Sequence, residues 1–97
     1  MRHFHRTHLA PDEVIVLADQ FFPALGLAMT DGDERRRAFE GPLGALVLRL
    51  SSEGGHYTRI DVHTDQTGES RLDRNVKRFF VQVHRAADPA HALRAAY

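Results

Sequence analysis

The sequence predicts an α+β fold: a two-layer sandwich in which two amphipathic helices cover one face of an antiparallel sheet of about four strands, in the order β-α-β-β-β-α. Three observations carry this. Apolar residues recur at helical spacing in two separate stretches, short alternating stretches lie before and between them, and turn-forming residues mark the joints. At 97 residues, 42% of them apolar and 27% charged, the chain makes a single domain, residues 1–97.

The first element is a strand: residues 2–9, RHFHRTHL, alternate loosely. Ala10 to Glu13 then opens a helix. Pro11 suits a first turn, where its missing N–H is no loss, and Asp12 and Glu13 favour the positive end of the helix dipole. Val14, Leu17, Ala18, Phe21, Phe22 and Leu25 form one apolar stripe, with Asp19 and Gln20 off it. Pro23 should end or kink this helix, and Gly26 is placed to stop it. TDGDE, Thr30 to Glu34, is turn chemistry. RRRAFEG reads as a weak strand broken by PLG, and ALVLRLSS and YTRIDVHTD are the two strongest strands.

The register of that last hairpin follows from its side chains. A two-residue loop at Gly54-Gly55 would set Leu50 opposite Arg59 and mix the faces. A three-residue loop, Gly54 to His56, pairs Leu50 with Ile60, Leu48 with Val62 and Arg49 with Asp61. One face becomes apolar, and Tyr57, Arg59, Asp61, His63 and Asp65 share the other. SRLD, Ser70 to Asp73, resembles a capping box. Leu72, Val76, Phe79, Phe80, Val83 and Ala87 then form a second helical stripe, preferred over a fifth strand at FFVQV because it accounts for more apolar positions. Asp88-Pro89 breaks that element, and AHALRAAY reads as a last short helix.

Charge and composition narrow the function classes. Net charge is zero, which argues against a dedicated nucleic-acid or anionic-membrane binder. Residues 1–70 hold seven Arg against eleven acidic residues, whereas residues 71–97 hold six basic residues against two. Arg71, Arg74, Arg78 and Arg85 fall on one outer stripe of the second helix, which a solvated helix face explains without RNA. No cysteine is present, so thiolate chemistry and disulfides are excluded. The longest early apolar run, Val14 to Ala18, is too short for a signal core or a membrane span. The expectation is a cytoplasmic protein with no membrane partner.

LAPDEVIVLADQFFPAL, followed by antiparallel strands and a C-terminal amphipathic helix, resembles the helix-grip proteins, the polyketide cyclase and START-like ligand binders. Pro11, Glu13, Val14, Leu17 and, two residues late, Asp19 carry the likeness. It covers about twenty residues plus element order. The resemblance implies a small apolar ligand, held between the Leu72–Ala87 helix and the sheet by Leu48, Ile60, Val62, Phe79 and Phe80, although those residues serve equally as packed core. The additional strands that close a helix-grip cavity have no counterpart in so short a chain. A ferredoxin-like arrangement explains the element order nearly as well.

The N-terminal histidines raise the question of a metal. If Phe4 points to the core, His3 and His5 lie on the open face, where His63 could join them with Asp61 or Asp65 as a fourth ligand. A solvated sheet face explains the same residues, so no metal or other cofactor is expected. No catalytic residue is identified. Ser70 is a helix cap, Ser51 and Ser52 end a strand, and Asp61 and His63 stand roughly 7 Å apart on one strand. The reading is a small non-enzymatic binding or interaction module. A homodimer is expected, formed through the open sheet face, where Val47 and Phe39 would sit among charges, or through a sheet edge.

Overall fold

The computed structural model describes residues 1–88 and has the α+β architecture the sequence predicts. Its elements are β1 (Arg2–Thr7), α1 (Pro11–Ala24), β2 (Ala28–Asp33), β3 (Arg36–Gly41), β4 (Gly44–Glu53), β5 (Tyr57–Thr64) and α2 (Arg71–Ala87). The sheet is antiparallel in the order β1-β5-β4-β3-β2, so β1 and β2 are its edges. The helix suggested at AHALRAAY lies outside the described residues.

The sheet has five strands, one more than expected, and the order is β-α-β-β-β-β-α. The missed strand is β2, whose six residues are all exposed. As an edge strand it buries no face, so it has no alternation to read, and Thr30 to Asp33 disguise it as a turn. The turn lies at Glu34-Arg35, and a bulge between Met29 and Asp31 shifts the register. α1 carries Pro23 inside its last turn and ends one residue later. Gly26, at φ +86°, then adopts the left-handed conformation that lets Gly26 N–H reach Pro23 O and Leu27 N–H reach Phe22 O. This Schellman closure turns Leu27 into the core.

The β4–β5 hairpin has the predicted register, with a loop of Gly54, Gly55 and His56. Leu48, Leu50, Ile60 and Val62 therefore all face the helices, none more than 6% exposed. Residues 79–83 are helical, within α2. At the core centre the Phe22 ring meets Phe39 at 5.2 Å and Phe79 at 5.1 Å. Phe39 thus belongs to the helix side, not to the open face where the sequence reading had set it. Burying Phe79 fully contributes on the order of 2–3 kcal/mol of transfer free energy before any packing gain.

β1 corrects a second expectation. His3, His5 and Thr7 point toward the helices, while Arg2, Phe4 and Arg6 lie on the open face, Phe4 being 55% exposed. A phenylalanine was expected to choose the core. Instead its ring sits beneath two guanidiniums, Arg59 at 4.6 Å and Arg6 at 5.4 Å, a cation–π arrangement that tolerates water.

Candidate functional site

Two polar constellations flank the same pair of strands. The first is buried, between β1, β5 and the start of α2. Ser70 caps α2, its hydroxyl accepting from Asp73 N–H at 3.0 Å and donating to Asp73 Oδ2 at 2.6 Å. Asp73 Oδ1 accepts from His3 Nε2 and from Thr64 Oγ1, both at 2.8 Å. The carboxylate is 1% exposed. Burial by itself pushes its pKa up, but the hydrogen bonds from Ser70, His3 and Thr64 outweigh it and hold the value at about 2, below the ordinary 3.8. His3 is thereby committed as a donor. The serine touches the carboxylate rather than the imidazole, so the cluster staples one helix and two strands and lacks a serine–histidine nucleophile pair.

The second constellation lies on the open face. Arg6 donates to Glu53 at 2.6 Å and holds that carboxyl below its usual range. Arg36 donates to Asp31 at 2.5 Å, and Arg59 to Asp61 at 3.1 and 3.2 Å and to Glu53 at 3.4 Å. On the helix side of the sheet, Arg35 reaches Ser52, and Arg37 reaches Asp19 on α1. Of the seven arginines before residue 70, only Arg2 and Arg49 make no side-chain hydrogen bond or ion pair among the described residues. Both line a hollow of about 400 Å³, together with Val47, Asp61 and His63.

Arg49 is free for a local reason. It stands opposite Asp61 in the ladder, as the sequence predicts, but Arg59 lies two residues from Asp61 on the same face and takes the carboxylate. The register was legible; the competition between two guanidiniums for one acid was not. The hollow exists because Val47 occupies the middle of the face, too short to fill the space between the long side chains around it. Ala38, Val47, His63 and Arg2 form one continuous row across four strands. A second hollow of about 300 Å³ adjoins the first, sharing Val47 and His63, and is bounded by Glu40, Ala45 and Asp65.

The other sequence candidates separate. His63 and Asp61 are on the open face, whereas His3 binds Asp73 and His5 stacks on Phe80 at 5.2 Å, so these four residues do not converge. Among the described residues no group of three or more His, Cys, Asp and Glu is placed to hold a metal ion. Leu48, Ile60, Val62 and Phe79 are at most 1% exposed within the main core, with Phe80 packed on its margin. Arg71, Arg74, Arg78 and Arg85 are exposed on α2, as the periodicity predicts. Among the described residues, no helix is long and apolar enough to cross a membrane. The chain matches no protein-family model, and comparison with curated proteins finds no relative.

Proposed function

We propose that the protein is a small binding module whose working surface is the hollow on the open sheet face, where Arg2 and Arg49, with His63 beside them, take the carboxylate or phosphate group of a small ligand. The carrying observation is the contrast among the seven arginines before residue 70: among the described residues five are bonded to side chains of the protein, and the other two meet at one concavity. A guanidinium offers a planar fork of donors that matches an oxyanion, and Val47 supplies an apolar floor. The helix-grip resemblance implies a ligand on the other side of the sheet, among side chains that are close-packed; this is the reason for siting the ligand on the open face.

The test is titration with acetate and with inorganic phosphate, followed by amide shifts in NMR. The expected result is a response at Val47, Arg49, Asp61 and His63, with affinity falling at least about tenfold in Arg49→Ala, the loss of one charge-assisted hydrogen bond. No response, or an equal one in the variant, sinks the reading.

A second copy of the chain is the competing occupant, and charge favours it at the face rather than the edges. β1 carries no acidic residue and β2 no basic one, so either edge paired with itself opposes like charges. The face carries Arg49 at one end and Glu40 and Asp65 at the other, which a two-fold axis over Val47 would bring together. Sedimentation equilibrium decides between the occupants. A dimer split by Arg49→Glu and restored by adding Glu40→Arg assigns the face to a second copy.

A further inference from the structure

The two hollows share a wall, and their far ends carry opposite charge. Resting on the anion reading above, we infer that they act as one trough for a dipolar ligand, a peptide of about three residues with both termini free, its carboxylate at Arg49 and its ammonium at Glu40 and Asp65.

The acidic end has capacity to spare. Glu40 is exposed and makes no side-chain hydrogen bond or ion pair among the described residues. Asp65 Oδ1 accepts from Ala45 N–H at 3.0 Å and Gln66 Nε2 at 2.8 Å, while Oδ2 accepts nothing from the described residues. The Ala45 N–H lowers the Asp65 pKa, so that carboxylate stays charged. The spacing selects the ligand's length. Arg49 and Ala45 lie four residues apart on β4, about 13 Å, Glu40 stands opposite Ala45, and the long side chains of Arg49 and Glu40 line the two hollows. An extended tripeptide spans about 10 Å between its termini. The floor between the ends is Ala38, Val47 and Ala45, with His63 beside Val47, and it accommodates small apolar side chains.

Trialanine is the probe, compared with N-acetyl-trialanine, which lacks the ammonium, in calorimetric titrations of the wild type, Glu40→Gln and Arg49→Ala. Trialanine is expected to bind the wild type at least about fivefold more tightly than its acetylated form. Glu40→Gln should erase that advantage and leave N-acetyl-trialanine unaffected, the pattern of a direct ammonium–carboxylate pair. If the two peptides bind equally and both weaken in Arg49→Ala, the dipolar inference is overturned while the anion reading stands. If neither peptide binds and acetate and phosphate also fail, both fall together.

Discussion

Arg2 and His3 are adjacent in β1, and His63 and Thr64 are adjacent in β5, yet each pair is divided between two environments. On the helix side, His3 and Thr64 join Ser70 around a buried carboxylate whose two oxygens together accept three side-chain hydrogen bonds. On the open side, Arg2 and His63 stand with Arg49 around a hollow where neither guanidinium has a partner among the described residues. Strand alternation alone sends neighbouring polar residues to opposite tasks, one set saturated and structural, the other unsaturated and free for a ligand.

That contrast can be broken most severely at Asp73. Replacing it with alanine leaves buried donors on His3, Thr64 and Ser70 without that acceptor, while the backbone cap from residue 73 N–H to Ser70 survives, and should cost about 3 kcal/mol in chemical denaturation. A loss under about 1 kcal/mol would show that the staple is ornamental. Next comes pH. The folded carboxyl titrates near 2 and the unfolded near 3.8, so its contribution, about 2 kcal/mol, is complete above 3.8 and fades as pH falls toward 2. Asp73→Ala should lose that acid-dependent segment of the stability profile, and a profile unchanged by the substitution would refute the assignment.

A weaker effect involves His5, whose pKa is lowered by burial and then by the charge of His84. A depressed histidine favours its neutral form in the folded state. Stability is therefore full above the ordinary 6.5 and declines as pH drops through the lower folded value. His5→Phe should flatten the profile below about pH 6.5 and keep the stacking on Phe80. The smallest effect sharpens the comparison from the other side. Arg49→Ala should alter stability by no more than about 0.5 kcal/mol, because the side chain bonds to none of the described residues, while it abolishes most anion affinity. A large loss of stability there would place Arg49 among the structural residues.

Much of the fold is legible in local pattern. The α1 and α2 stripes, the cap at Ser70 and the three-residue loop beyond Glu53 follow from periodicity and from pairing apolar with apolar. β2 is illegible because an exposed edge strand has no buried face to impose alternation, and its Thr-Asp-Gly-Asp run belongs equally to turns. The site is less legible still. That Arg49 opposes Asp61 can be read from the hairpin; that Arg59 takes the acid instead depends on side-chain reach. Phe4 shows the limit most clearly: parity groups it with Arg2 and Arg6, but hydrophobicity alone assigns that group to the wrong face.

By itself the sequence determined two helical stripes and the β4–β5 pairing, because each depends on residues near in the chain, whose periodicity and turn length constrain them directly. Only the tertiary structure decided which face of β1 meets the helices, which guanidiniums are left without acids and where the sheet is hollow. Those outcomes arise from competition between residues remote in sequence: His3 is drawn inward by a carboxylate seventy positions away, and the alternation of the strand turns its neighbour Arg2 outward.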